Sequence, residues 1–158
     1  MLDPGFRDAW RPSDAQLLHT LAVGDTLAAL LRTGRLGSLV VTSWRGEAEL
    51  RAWHRPGEPI PDLQVEWTAP GREGRWCVEV DRGTESRNAW RRKLARYVHV
   101  RGLTVLVVTT SDARARNLAI LARELGVAAL TTDAASLAGG DPVQVYDALK
   151  GVRRLVDE

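Results

Sequence analysis

Trp76-Cys77-Val78-Glu79-Val80-Asp81-Arg82-Gly83-Thr84-Glu85 is the stretch on which the fold of this chain turns. A strand projects successive side chains to opposite faces, so Trp76, Val78 and Val80 share one face while Cys77, Glu79 and Asp81 share the other. Upstream, Pro56, Pro59 and Pro61 interrupt regular structure, and Leu63, Val65 and Trp67 then alternate with Asp62, Gln64 and Glu66 as in a half-buried strand. The loop from Ala69 to Gly74 turns the chain back, which makes the two strands an antiparallel hairpin. Asp62 opens one strand and Glu79 and Asp81 close its neighbour, so three acids gather at one end. Glu79 and Asp81 are one strand period apart, roughly 6.5 to 7 Å, and point the same way.

Before the hairpin, Ser13, Asp14 and Gln16 mark a helix start, and Leu17, Leu21, Ala28 and Leu31 recur at helical spacing until Gly34 and Gly37. The pattern predicts a helix over about residues 14 to 33. Leu39 to Trp44, β-branched and bounded by glycine, reads as the first strand, with a short helix or turn from Glu47 to Trp53 after it. Beyond the hairpin, Gly83 or Thr84 caps a helix with Glu85 in its first turn, continuing through Trp90, Leu94, Tyr97 and Val98 to Gly102. Leu103 to Thr109 is almost wholly apolar and reads as a central strand covered on both faces. A helix from Ser111 or Asp112 to Gly126 and an edge-like strand from Val127 to Thr131 follow, and the tail from Pro142 to Glu158 reads as a short strand or turn plus a helix. The order implies an α/β fold, a mixed sheet with helices on both faces. One domain over residues 1–158 is expected, with its core at about 14–132 and a C-terminal extension at about 141–158.

At 158 residues and 44% apolar content the chain suits one continuous core. No apolar run reaches the length of a membrane span, and Asp3, Arg7 and Asp8 argue against a signal peptide, so a cytoplasmic protein with no membrane partner is expected. The single cysteine, Cys77, lies in an apolar strand and reads as packing. Net charge is only +2, yet the basic residues are 20 Arg and two Lys, Lys93 and Lys150. Guanidinium groups grip phosphate oxygens two at a time. Base composition of a GC-rich genome also explains such a bias, so the hint toward nucleic acid is slight.

A cluster of carboxylates in half-buried sheet is costly unless a cation or protons neutralise it. Mg²⁺ or Mn²⁺ would do so at Asp62, Glu79 and Asp81, and a water on such an ion can attack a phosphodiester. The structural alternative is that Asp81 only bonds the backbone near Gly83 while Glu79 pairs with an arginine such as Arg92. Arg82, Arg91, Arg92 and Arg96 are candidate phosphate contacts, the last three as a stripe on the helix after the acids. Tyr97 follows Lys93 at i+4, placed to orient it or simply to pack. Asp25 and Glu47 are further candidate acids for the site, whereas His19 and Asp25, six residues apart, do not stack as a metal pair. Of the six tryptophans, Trp90 reads as best placed to be exposed and meet a base or a partner.

Pro61-Asp62, followed seventeen positions on by Glu79-Val80-Asp81 within this order of elements, resembles the PD-(D/E)xK nuclease-like superfamily. More narrowly, Trp76 to Ser86, then Lys93-Leu94 and Tyr97, with Leu18-His19 and Leu21-Ala22-Val23 upstream of Asp25, resembles the replication-relaxation family of plasmids and mobile elements. The resemblance covers about residues 15 to 132. It implies a DNA-acting protein, with Asp62, Glu79 and Asp81 holding Mg²⁺ or Mn²⁺ as a metal-dependent endonuclease or nickase, or else a non-catalytic binding module on a degenerate nuclease fold. The superfamily places Lys two residues after the strand carboxylate, where this chain has Asp81, and Lys93 is the candidate replacement. Relatives commonly carry an N-terminal winged-helix region that this chain has no room for, so a protein partner supplying a DNA-binding domain is a further expectation.

Overall fold

The computed structural model describes residues 12–36, 39–53, 55–100, 102–140 and 143–155. In chain order the elements are α1 (Asp14–Leu36), β1 (Val40–Gly46), α2 (Glu47–Trp53), β2 (Leu63–Ala69), β3 (Arg72–Val80), α3 (Arg87–Ala95), β4 (Thr104–Thr109), α4 (Asp112–Leu125), β5 (Ala129–Asp133), α5 (Ala134–Ala138), β6 (Gln144–Asp147) and β7 (Gly151–Arg154). The strands form one seven-stranded sheet in the order of the sequence. The pairs β1–β2, β2–β3, β5–β6 and β6–β7 are antiparallel, and β3–β4 and β4–β5 are parallel. Each parallel pair is joined through a helix, because a strand must cross the length of the sheet to restart in the same direction.

The β2–β3 hairpin is tighter than its sequence suggests. Pairing runs from Leu63 opposite Val78 to Ala69 opposite Arg72, leaving Pro70-Gly71 as the turn. Proline presets the backbone on entry, and Gly71 takes the left-handed φ of 70° that a side chain disfavours. Gly74, opposite Trp67, is required for a different reason: a Cβ there would lie 2.6 Å from the Trp67 ring.

Alternation along the strands divides the core in two. Trp76, Val78, Val80, Leu106, Val108 and Leu130 face α1 and α5, packing with Ala29, Leu30 and Leu137. Cys77, Val105, Val107 and Ala129 face α3 and α4, packing with Trp90, Leu94, Leu118 and Leu121. In β4, Val105, Leu106, Val107 and Val108 are at most 1% exposed, each contributing about 1.5–3 kcal/mol of burial. Cys77 is buried within this packing, and burial, with Glu79 second, pushes its thiol up to about 11.

The α1 pattern gains its orientation, and three expectations are corrected. The stripe Leu17, Leu21 and Leu31 that announces α1 is its outward face, 49%, 56% and 40% exposed, while Thr26, Ala29, Leu30 and Thr33 meet the sheet. Periodicity identifies a helix but not which of two apolar stripes is buried; here the smaller residues allow close approach, and the threonine hydroxyls bond Ala22 O and Ala29 O at 2.8 and 3.1 Å. The strand after α4 is interior, because β6 pairs on its far side. The described part of the tail is a hairpin with no helix: Asp147 accepts the N–H groups of Leu149 and Lys150 at 2.8 and 3.1 Å, and Gly151 turns the chain at a φ of 90°. Finally, α3 is capped by Ser86, which accepts from Ala89 N, and ends at Ala95 well before Gly102.

Candidate active site

The ladder between β2 and β3 ends at Leu63, and the preceding residue extends it with a side chain. Asp62 Oδ2 accepts the backbone N–H of Val80 at 2.7 Å, and its other oxygen lies 2.9 Å from His19 Nε2 of α1. Both oxygens therefore hold a fixed direction at the point where β2, β3 and α1 meet.

Glu79 projects from the opposite face of β3 to Val80, toward α3. Tyr97 donates its hydroxyl to Oε1 at 2.5 Å, and Lys93 Nζ lies 3.2 Å from Oε2. The carboxyl is almost wholly buried, and that burial is the main reason its pKa is pushed up to about 7. Lys93 acts against the shift, Asp62 adds to it, and the Tyr97 hydrogen bond opposes it. Lys93 also bonds Glu85 Oε1 at 3.1 Å and stands over the Trp90 ring at 4.7 Å. Burial alone would lower the Lys93 ammonium, but Glu79 and Glu85 outweigh it and hold its pKa above the ordinary value. The Tyr97 phenol is likewise raised, by burial first and by Glu79 next.

Asp62, Glu79, Lys93 and Tyr97 line one cleft of about 310 Å³ with Glu47, Arg51 and Arg96. Glu47 is exposed at its mouth, paired with Arg51 at 2.5 Å, and its backbone N–H bonds Asp62 O at 3.2 Å. A shallower groove carries the surface on past His19, Arg82 and Glu85.

Asp81 does not reach this cleft. Its side chain is fully buried in a separate polar knot: Oδ1 accepts from Trp90 Nε1 at 3.2 Å, from Gly83 N at 3.1 Å and from Arg114 Nη2 at 3.0 Å, and Oδ2 accepts from Arg114 Nε. Same-face placement with Glu79 holds, yet the two carboxylates have separate partners, Tyr97 and Lys93 for Glu79 and Trp90 and Arg114 for Asp81. Trp90, expected at the surface, is 0% exposed because its indole closes this knot. Asp25 lies apart, lining a hollow between α1 and the ends of β3 and β4. Arg82 donates to Ala15 O at 3.0 Å. Arg91 is held by Glu124 at 2.8 Å, whereas Arg92 and Arg96 are exposed and have no ion-pair partner among the described residues.

Two participants escaped the sequence reading. His19 carries a signal only once α1 is docked beside Asp62, 43 residues away. Arg114 carries none, since its role depends on how α4 packs.

The fold and cleft define a mixed α/β protein whose acid and lysine side chains converge beside the antiparallel half of the sheet. A family model described as replication-relaxation matches residues 3–109, more than half of the chain, and the protein belongs to that family. The matched stretch runs from α1 through β4 and holds every residue of the cleft, while Arg114 lies outside it. Comparison with curated proteins and with solved structures gives no match.

Proposed function

We propose that the cleft hydrolyses phosphodiester bonds in DNA, as a metal-dependent nuclease or nickase of the PD-(D/E)xK type serving plasmid or mobile-element DNA. The observation that carries this reading is the convergence of Asp62 just before β2, Glu79 of β3 and Lys93 of α3 on one cleft. The run α1-β1-α2-β2-β3-α3-β4, with a hairpin crossing over into a parallel strand, supports it, as does membership of the replication-relaxation family.

Among the described residues no group of three His, Cys, Asp or Glu side chains is arranged as a metal cage. Two carboxylates facing one cleft nonetheless suit Mg²⁺ or Mn²⁺, hard ions that keep several waters and bind through one or two carboxylates together with substrate phosphate. Bound by Asp62 and Glu79, such an ion would supply an activated water and neutralise charge on the phosphate. The chain's own groups do the rest. His19 and the Val80 N–H orient Asp62, and Tyr97 orients Glu79. Lys93, kept charged by its two glutamates, moves its ammonium from Glu79 onto the phosphate and stabilises the charge that develops there. Arg92 and Arg96 hold the neighbouring backbone.

The test is cleavage of supercoiled, linear and single-stranded DNA by the purified protein in Mn²⁺. Lys93→Ala should abolish cleavage with little change in DNA affinity, and Lys93→Arg should not restore it fully, because a planar fork does not replace a compact ammonium. Glu79→Gln and Asp62→Asn should each remove cleavage. A second reading, a non-catalytic binding module, is favoured by one observation: all four oxygens of Asp62 and Glu79 already have partners within the chain. It prevails if the intact protein cuts none of the three substrates.

A further inference from the structure

The most exposed large apolar side chain among the described residues is Trp53, at 81%. It ends α2, a helix with no buried residue, so the ring contributes nothing to the packing of its own element. Beside it lies a hollow of about 580 Å³ lined by Trp53 itself with Ile60, Gln64, Cys77, Arg45 and Arg75. Pro59 and Ile60 line both this hollow and the cleft of Asp62, Glu79 and Lys93, so the two are separated by a single wall.

Both arginines at the hollow are already paired with carboxylates, and Glu58 adds a further acid to its lining. Arg45 pairs with Glu49 at 3.5 Å and Arg75 with Glu66 at 3.0 Å. A site whose arginines are paired and whose lining holds an extra carboxylate offers no surplus attraction for phosphate. It suits a flat, uncharged ring with hydrogen-bonding edges, which can stack on an indole and bond Gln64 or the arginines. On the other side of the wall Glu47, Asp62 and Glu79 are balanced by Arg51, Lys93 and Arg96, and of these bases Arg96 is exposed with no ion-pair partner among the described residues, placed to meet a phosphate. Phosphate on one side and an aromatic platform on the other is the layout with which proteins hold an unpaired nucleic-acid strand.

We propose that Trp53 and its hollow form a subsite for an unpaired nucleobase adjoining the cleft, which makes DNA with a single-stranded or frayed segment the substrate class. The inference rests on the reading of the cleft as a DNA site. Bases inside an intact duplex are stacked on each other and do not reach the indole, so the subsite discriminates strand state with little regard to sequence.

Binding is measured in EDTA, where cleavage does not occur, by fluorescence anisotropy of a labelled single-stranded oligodeoxynucleotide, an abasic strand of equal length and a duplex. Trp53→Ala should weaken single-strand binding about 5- to 100-fold, the range expected for one lost stacking partner. Trp53→Phe should retain most of the affinity, and the abasic strand and duplex should not distinguish Trp53→Ala from the native protein. Because Trp53 is exposed, thermal unfolding of both variants should match that of the native chain. Equal single-strand affinity for native protein and Trp53→Ala overturns the subsite, as does a loss of the same size on the abasic strand. Trp53-dependent binding without Mn²⁺-dependent cleavage keeps the subsite and removes the nuclease reading; cleavage with no Trp53 dependence does the reverse.

Discussion

Glu79→Gln should make the protein more stable at alkaline pH than its native form, and the size of the gain follows from the position of one carboxyl. Glu79 is 3% exposed, and its pKa is pushed from an ordinary 4.5 to about 7, chiefly by burial. The folded state therefore holds this proton more tightly than the unfolded chain does. Its contribution to stability is complete below about pH 4.5 and is lost as pH rises through about 7. At about 1.4 kcal/mol for each pH unit, the loss between pH 5 and pH 8 comes to about 2–3 kcal/mol. Glutamine keeps the shape, accepts from Lys93, donates to Tyr97 and has no charge to bury, so this fall should be absent from the variant. Lys93 retains Glu85 at 3.1 Å. The check is urea unfolding of both proteins at pH 5 and pH 8 in EDTA, where the difference between their pH dependences isolates Glu79 from every other titrating group. Thermal unfolding should diverge in parallel by about 5–10 °C for a chain of this size. Parallel stability curves across that range would refute the claim that Glu79 is buried against its own charge.

Asp81→Asn should destabilise the fold by about 3 kcal/mol, since it strips the charge from Arg114's buried partner, and denaturant titration should register this even in EDTA. A native-like midpoint would mean that the carboxylate is not an anchor. Gly74→Ala should cost about 1–3 kcal/mol, because its methyl group meets the Trp67 ring at 2.6 Å and something must shift; calorimetry reads the change. For DNA binding, removing Arg92 and Arg96 together should lower the slope of log affinity against log salt by about 2, whereas Arg91→Ala should change it less, because Arg91 is held in an ion pair with Glu124 that it shares with Arg87. A fall produced equally by Arg91→Ala would move the contact surface to the middle of α3.

How much of this was legible in the sequence depends on the range of the interaction involved. Alternation along Leu63 to Trp67 and Trp76 to Asp81 specified the hairpin and the face of Glu79, because strand geometry repeats every two residues whatever surrounds it. The apolar run of β4 announced a strand covered on both sides for the same local reason. Ser13 and Gln16 form the reciprocal cap that their spacing promised, at 2.9 and 3.3 Å. Tertiary packing decided everything that needed two distant segments. It turned the leucine stripe of α1 outward, brought His19 onto Asp62, and drew Asp81 and Trp90 into a knot with Arg114, away from Glu79. It also left Trp53, not Trp90, in solvent beside the cleft. Periodicity states which side chains share a face; only the packed molecule decides what stands opposite that face, and for a buried carboxylate the partner opposite determines whether it anchors the fold or is left for chemistry.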